Sequence, residues 1–152
     1  MKTLARPRDK AELLQRVRTL RPDSVRRWGR MSVHQMVCHL CDGFRMGMGD
    51  KPVRRVAGAI RGTSIKWVAL YLPMRWPSGF PTTAELDQER LGTSPTEFAA
   101  DVAQLEALLD LVTTQPRSFE WHIHPLFGRM SEGAWLRWGY LHVDHHLRQF
   151  GA

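Results

Sequence analysis

Two histidines near the end of the sequence, His142 and His146, have the spacing of a helical metal site. Residues four apart on an α-helix lie about 40° apart around the axis and about 6 Å apart along it. Two imidazoles in this relation can bind one divalent metal ion. A third histidine, His39, lies far upstream in another apolar segment. Three neutral imidazoles from two helices would leave coordination positions free, which a catalytic metal requires.

An ordinary place in a helix core is the alternative for this pair. The face that carries His142 and His146 also carries the side chains of Trp135, Trp138 and Gln149. We therefore expect the pair to face inward, with these three residues beside it as core or pocket walls. A buried imidazole without a partner costs about 1–3 kcal/mol. A metal ion or hydrogen bonds within the core would each satisfy the pair, and the spacing leaves both interpretations open.

Two more histidines are weaker candidates for a role beside the site. His145 falls about 60° from His142, on the side opposite to His146, so we expect it at the rim and not as a ligand. His124 precedes a proline in a loop. It either reaches the mouth of the site or has a structural role in that loop.

The segment around His39 contains three other residues with reactive side chains. Asp42 follows by three positions, and it can orient an imidazole, act as a base or be a surface carboxylate. Cys38 and Cys41 form a Cys-x-x-Cys pair inside a predicted helix. A zinc site there would need two more ligands on the same side, and a redox pair usually follows a strand. We interpret both cysteines as buried apolar residues.

Two glycines lie one helical turn from the proposed ligands. Gly43 follows His39 and Gly139 precedes His142. They either clear space for a substrate or let two helices pack closely. We expect a solvent-reachable pocket beside the three histidines.

Length and composition predict a single domain over residues 1–152. The hydrophobic fraction of 43% is enough for a core. Two cysteines three positions apart make no disulfide framework, and the first residues lack the apolar core of a signal peptide. The longest apolar run, residues 67–72, is too short to span a bilayer. We therefore expect a cytoplasmic protein with no membrane partner.

The net charge of +7 comes from the N-terminal segment. Residues 1–30 contain ten Lys or Arg against three acidic residues, so they carry the whole surplus. No aromatic stacking pattern runs through them, which favours a solvated helix face over a nucleic-acid interface. The expected partner is a small-molecule substrate, and a homodimer is left open.

Helix start signals and apolar spacing predict four long helices. The predicted N-caps are Asp9, Ser32, Ser94 and Ser131, and Gly151 is placed to end the last helix. Residues 49–93 read as an irregular connection with short helical pieces at 57–60 and 65–72. The predicted fold is an all-α four-helix bundle with a long irregular connection between the second and third long helices. Such a connection lets those two helices run in the same direction.

The histidine pattern also carries a family resemblance. One histidine about a quarter of the way along the chain, then a closing helix with His-x-x-x-His-x-x-Gln, resembles the DinB/YfiT-like metalloenzymes. The tail from His142 to Gly151 and the loop from His124 to Gly128 are more similar to a bacterial branch of largely unknown function. The resemblance covers most of the chain, and residues 49–93 match only loosely.

This resemblance implies a DinB/YfiT-like four-helix bundle that binds a divalent metal through His39, His142 and His146. Zinc or nickel is expected ahead of manganese or iron. Characterised relatives include thiol transferases and isomerases that use a low-molecular-weight thiol. The expected function is therefore a thiol-dependent S-transferase or isomerase. A metal-dependent hydrolase is the alternative at the same site. A non-catalytic structural or regulatory helical bundle is the alternative of another class.

Overall fold

Helices make up the regular structure of the described residues. The structure is a computed structural model that describes residues 1–55, 63–72, 74–79 and 82–152, with the backbone alone at 63–65. Over these residues it contains five α-helices and no strand: α1 (Pro7–Val17), α2 (Val33–Met48), α3 (Thr63–Tyr71), α4 (Phe98–Leu111) and α5 (Glu132–Gln149). A 3-10 turn spans Ala84–Leu86. The predicted all-α class is confirmed.

The long connection between α2 and α4 contains α3 and the 3-10 turn. His34, at the start of α2, contacts both Phe98 and Asp101 at the start of α4. Because these two helices pack against each other with their starts together, they run in the same direction, as predicted. The expected helical piece at 65–72 is part of α3, and the one at 57–60 lies outside the described residues.

The start of α2 and both ends of α5 follow their sequence signals. Ser32 Oγ accepts from the Gln35 backbone N–H at 3.1 Å, and the Gln35 side chain accepts from the Ser32 N–H at 2.8 Å. This is a capping box, and it confirms the predicted N-cap at Ser32. Ser131 Oγ accepts from Ala134 N–H at 3.3 Å. Gly151 follows α5 with a φ of +78°, a conformation that favours glycine.

The predicted start of α1 is wrong. The helix begins at Pro7, which has no N–H to leave unpaired, and Asp9 lies inside the first turn instead of at the cap. The Asp9 carboxylate accepts from the Thr3 backbone N–H at 2.9 Å. It therefore secures the N-terminal segment that precedes the helix.

The predicted start of α4 is also wrong. The helix begins at Phe98, after Ser94, because Glu97 provides the cap. The Glu97 carboxylate accepts from the N–H groups of Ala99 and Ala100, at 3.0 and 2.7 Å. A carboxylate at this position also interacts favourably with the helix dipole.

An apolar core joins the four long helices. Leu13 of α1, Met36 of α2, Leu105 of α4 and Val143 of α5 are all fully buried in one cluster. A smaller cluster packs the long connection against α5 through residues that include Leu70, Leu86, Trp135 and Trp138. The two clusters together fix the face of α5 that carries the histidines. No described helix combines the length and the apolar character that a bilayer crossing needs.

Several basic residues of segment 1–30 pair with acidic residues elsewhere in the fold. The pairs are Lys10–Asp110, Arg16–Asp144, Arg18–Glu106 and Arg30–Asp87. Such partly exposed pairs each contribute about 0–1 kcal/mol. Their main consequence is that acidic residues of α4, α5 and the connection neutralise part of the N-terminal charge.

Candidate metal centre

The three histidines predicted as ligands lie together between α2 and α5. One ring nitrogen from each of His39, His142 and His146 lies within 4.8 Å of the other two. The ring centroids form a nearly equilateral triangle, with separations of 5.0, 4.8 and 5.0 Å. All three side chains are buried, with exposures of 5, 8 and 7%. The fold thus brings together residues that lie more than a hundred positions apart.

A backbone carbonyl fixes the His39 ring. Its Nδ1 lies 2.8 Å from the Leu86 carbonyl oxygen, at the end of the 3-10 turn. A carbonyl only accepts hydrogen bonds, so Nδ1 carries the proton and Nε2 has a free lone pair. The 3-10 turn therefore sets both the orientation and the tautomer of His39.

A side-chain amide fixes the His146 ring in the same way. Its Nδ1 lies 2.8 Å from Gln149 Oε1, and Gln149 Nε2 donates to the Trp28 carbonyl at 2.8 Å. The second bond shows which end of the amide is oxygen, so Nδ1 of His146 donates and Nε2 is free. A Cβ at position 29 would lie 2.6 Å from Gln149 Nε2, so Gly29, whose φ is +80°, leaves the space that this amide needs.

Packing and one polar contact at Nε2 position the His142 ring. Its Nδ1 is buried without a hydrogen-bond partner. Trp138 lies against the ring at a centroid distance of 4.7 Å, and a Cβ added at Gly43 would lie 3.1 Å from it. Its Nε2 is 3.1 Å from Nε2 of His39. This contact fits either a hydrogen bond donated by His142 or two lone pairs that face one cation.

Burial keeps the three rings neutral. It lowers the pKa of His39 below the ordinary value of 6.5. The pKa values of His142 and His146 lie well below 6.5, first because of burial and then because a charge on a neighbouring histidine would repel theirs. Neutral imidazole is the form that binds metal ions.

The cluster has dimensions that suit a metal ion. Two nitrogens bound to tetrahedral zinc at about 2.0–2.1 Å lie about 3.3 Å apart. The corresponding distance between Nε2 of His39 and Nε2 of His142 is 3.1 Å. Together with the free lone pairs and the neutral charge state, this spacing makes the buried three-histidine group able to bind a divalent metal.

Asp42 secures the loop that orients His39. Its carboxylate is fully buried and accepts from Thr93 N–H at 2.8 Å, Thr93 Oγ1 at 2.6 Å and Gln88 Nε2 at 3.0 Å. Lys51 Nζ lies 3.3 Å away. These contacts tie the segment after the 3-10 turn to α2. A role as a catalytic base stays a prediction.

His145 lies at the outer edge of the cluster. Its ring is half-buried, 5.1 Å from the His146 ring. Trp28 and Trp76 both lie near it, at ring-centroid distances of 5.9 and 6.1 Å, and Trp76 is also 6.3 Å from the His142 ring. Burial lowers the pKa of His145 below 6.5. Trp76 Nε1 donates to the Ala69 carbonyl at 2.8 Å, which anchors the indole to α3.

His124 stabilises its own loop. Its Nδ1 accepts from the backbone N–H groups of Leu126 and Phe127, both at 3.1 Å. The ring is buried, 5.2 Å from Trp138, and burial lowers its pKa to about 3. Trp135 lies behind it in the core and is stacked on another indole. His124 and Trp135 therefore contact the packing around the site and not the cluster itself.

The two glycines let α2 and α5 pack closely. A Cβ at Gly139 would lie 2.8 Å from Leu4 and 3.0 Å from Phe44, and the space beside Gly43 is filled by His142. Neither glycine opens a pocket. The two best-formed cavities among the described residues are lined by other segments, one beside Phe150 and one beside Glu132.

Both cysteines are buried, as predicted. Cys38 and Cys41 are each 2% exposed, and burial raises the pKa of both thiols to about 12. Cys38 Sγ donates to Asp101 Oδ2 at 3.6 Å, and Cys41 Sγ lies 3.9 Å from the Asp101 carbonyl. Without a bound metal they are thiols at neutral pH.

Some residues around the histidine cluster were not predicted from the sequence. They act through backbone groups or through packing between distant segments. Leu86 and Trp28 contribute carbonyl oxygens, which every residue type has, so no sequence signal identifies them. Trp76 comes from the irregular connection, where no periodicity predicts its position. Gln149 is different, because its position three residues after His146 predicted a place beside the site.

Comparison with known proteins identifies a family without a known activity. A family model described as "Protein of unknown function (DUF1569)" matches residues 5–152, which include all three histidines. Neither the curated proteins nor the solved structures contain a significant match. Because the family model covers nearly the whole chain, the chain belongs to the DUF1569 family.

Proposed function

We propose that this chain is a divalent-metal-dependent enzyme with His39, His142 and His146 as its metal ligands. The observation that carries the proposal is the pattern of ring protons. His39 and His146 donate their Nδ1 protons outward, so both Nε2 atoms need a donor or a cation. Neutral His142 has a single ring proton and can serve only one of them. A divalent ion at the centre would bind the free Nε2 lone pairs of all three rings, with the single ring proton of His142 on its Nδ1.

The donor set favours particular metals. Imidazole nitrogens suit zinc, nickel and iron, whereas manganese prefers carboxylate and water oxygens. Among the described residues, no carboxylate belongs to this cluster. We propose zinc or nickel ahead of iron and manganese.

The proposed chemistry uses the position that three protein ligands leave free. A divalent metal in such a site deprotonates a bound thiol or brings a bound water to a pKa of about 7. The protein's contribution is to fix two imidazole tautomers and to exclude bulk water. Trp138 shields the His142 ring, and the half-buried Trp28, Trp76 and His145 mark the side on which a small molecule would approach.

Thiol transfer is our preferred reaction, and hydrolysis is the alternative. The preference rests on the resemblance to DinB/YfiT-like enzymes, a superfamily to which we propose this DUF1569 chain belongs. We further propose that the protein works in the cytoplasm as a single domain and acts on a small molecule, not on nucleic acid.

A non-catalytic helical bundle is the second candidate. Two observations favour it: each histidine is less than a tenth exposed, and neither of the two best-formed cavities among the described residues reaches the cluster. In that case the metal would only stabilise the fold. The two candidates differ in whether an exogenous ligand can reach the metal.

Cobalt substitution distinguishes these functions. Untagged protein is stripped with a chelator and loaded with Co²⁺, and its visible spectrum is recorded while a small thiol is added. A thiol-dependent change in the ligand-field bands is expected in wild type and in Cys38→Ala, in which the other group of ligand side chains, His34, Cys38 and Asp101, is incomplete. The change should be absent in the double variant Cys38→Ala/His142→Ala. His122→Ala is the matched control, because His122 is exposed and outside the cluster.

Each outcome selects one function. A thiol-dependent change supports thiol transfer. An unchanged spectrum with thiol, together with hydrolysis of activated esters that requires His142, supports the hydrolase. An unchanged spectrum without hydrolysis rejects the enzyme and supports the structural bundle.

A further inference from the structure

A second group of metal-ligand side chains lies where α2 packs against the start of α4. His34 and Cys38 are one helical turn apart on α2, and Asp101 of α4 faces both. One ligand atom from each lies within 4.8 Å of the other two. None of the three belongs to the histidine cluster. The site therefore joins two helices at a place that the proposed function does not use.

One distance in this group matches that of a zinc site, and a second is shorter by about half an ångström. With zinc bonds of about 2.3 Å to sulfur and about 2.0–2.2 Å to oxygen, the two ligand atoms lie about 3.6 Å apart in a tetrahedral arrangement. Cys38 Sγ and Asp101 Oδ2 are 3.6 Å apart. His34 Nε2 lies 2.7 Å from Asp101 Oδ2, and binding would widen this distance by about half an ångström, to about 3.3 Å.

The surroundings orient the ligands and leave a way in. Thr96 donates its N–H to Asp101 Oδ2 at 3.0 Å, and Phe98 packs edge-on against the His34 ring at 5.3 Å. Cys38 is buried, whereas the side chains of His34 and Asp101 are 23 and 19% exposed. An ion could therefore approach the sulfur between these two partly exposed side chains. Such outer contacts hold ligands in place in known metal sites.

We propose that His34, Cys38 and Asp101 form a second site for a divalent ion of the zinc type. The sequence disfavoured a zinc site built on both cysteines of the Cys-x-x-Cys pair, and the proposed site does not use Cys41. The fold instead places His34 of α2 and Asp101 of α4 beside Cys38. Nitrogen, sulfur and carboxylate together favour zinc over magnesium or calcium. When the sulfur binds, its proton passes to solvent. The bound ion ties α2 to α4, and water completes its coordination.

Cobalt reports on this site independently of the three histidines. Sulfur coordination gives Co²⁺ a charge-transfer band in the near ultraviolet, which a site of three imidazoles lacks. Untagged, chelator-stripped protein is titrated with Co²⁺ without added thiol. Wild type is expected to bind two equivalents of Co²⁺. One of them should give the charge-transfer band from sulfur, called the sulfur band below.

Single variants assign the band. His142→Ala is expected to keep the sulfur band and bind one equivalent, and Cys38→Ala to bind one equivalent without the band. Cys41→Ala is the matched control, because Cys41 is equally buried and one turn away. It is expected to keep both equivalents and the band. His34→Ala tests the same site at a partly exposed position. Loss of an outer partner alone costs about 10–100-fold in metal affinity, so we expect loss of a direct ligand to cost about 100-fold or more.

Several results would overturn the second site. The absence of a sulfur band in wild type would do so, and so would a band that survives Cys38→Ala or disappears in Cys41→Ala. A single equivalent with the sulfur band in wild type would instead reject the three-histidine site and support this one. Different results would therefore reject the three-histidine site and the second site.

Discussion

Gly43 gives the sharpest test of how His142 is positioned. This ring has no hydrogen bond at Nδ1, so its place depends on contact with α2 and with Trp138. A Cβ at position 43 would lie 3.1 Å from Cε1 and 3.3 Å from Nδ1 of His142, and 3.3 Å from Trp138. Gly43→Ala therefore pushes the ring by a few tenths of an ångström without removing any ligand.

Two opposing terms set the effect on stability. Alanine in a helix interior is favoured over glycine by about 0.8–1.0 kcal/mol. Overpacking in a core costs about 1–3 kcal/mol. We expect the metal-free variant to lose about 0–2 kcal/mol of unfolding free energy. Without metal the ring can relax away from the new methyl group, and metal binding would draw it back. Moving the ring back against the methyl group costs up to the overpacking energy. This cost would weaken metal binding by a factor of up to about 5–150.

Gly133→Ala is the matched control, because it lies in the first turn of α5 and a Cβ there would meet nothing within 4 Å. It is expected to raise stability by less than about 1 kcal/mol and to leave the affinity unchanged. Urea unfolding of the metal-free proteins measures the first quantity, and competition with a coloured zinc chelator measures the second. If Gly43→Ala gains stability like the control and binds metal as tightly as wild type, the account of His142 is refuted.

Three further predictions concern the groups around the site. Gln149→Ala leaves His146 Nδ1–H and the Trp28 carbonyl unpaired. We expect the free energy of unfolding in urea to fall by about 1–3 kcal/mol for each unpaired group, and the metal affinity to fall about 10–100-fold. Asp42→Asn weakens the charged hydrogen bonds from Thr93. We expect it to lower the free energy of unfolding in urea by about 1.5–3 kcal/mol and to weaken metal binding. An unchanged free energy of unfolding and an unchanged metal affinity would contradict the role of Asp42 in securing the loop that orients His39. Lower pH destabilises the metal-free protein, because burial lowers the pKa of the three site histidines in the folded state and the unfolded state binds protons more readily. Stability should be full above pH 6.5 and fall below it, by up to about 1.4 kcal/mol per histidine for each pH unit; a flat profile from pH 7.5 to about 5 in urea titrations would contradict this.

Local signals in the sequence were enough for part of the fold. The caps at Ser32 and Ser131 depend on neighbouring residues only, and both were predicted. The spacing of His142 and His146 likewise follows from helix geometry. These features need no knowledge of how the helices pack.

Competition between local groups explains the errors. At the start of α4, Ser94 and Glu97 both have cap-forming side chains. Thr96 N–H donates to Asp101, so the backbone before Phe98 is already engaged and the helix starts later. A sequence pattern alone does not weigh one cap against another.

Long-range contacts account for the part of the site that the sequence did not reveal. The Leu86 carbonyl reaches His39 because the long connection folds back onto α2, where Asp42 secures the residues that follow Leu86. Asp101 joins His34 and Cys38 only after α2 and α4 pack with their starts together. Such partners depend on tertiary structure, and spacing along the chain does not encode them.

The most direct test of the central claim is anomalous diffraction from crystals of untagged protein grown with zinc. Data collected on both sides of the zinc absorption edge locate the ion without assumptions about its ligands. We predict an anomalous peak at about 2.0–2.1 Å from Nε2 of His39, His142 and His146, with a fourth ligand that is not protein. If there is no peak at this position and Nε2 of His142 is hydrogen-bonded to His39 as in a metal-free core, the claim is contradicted.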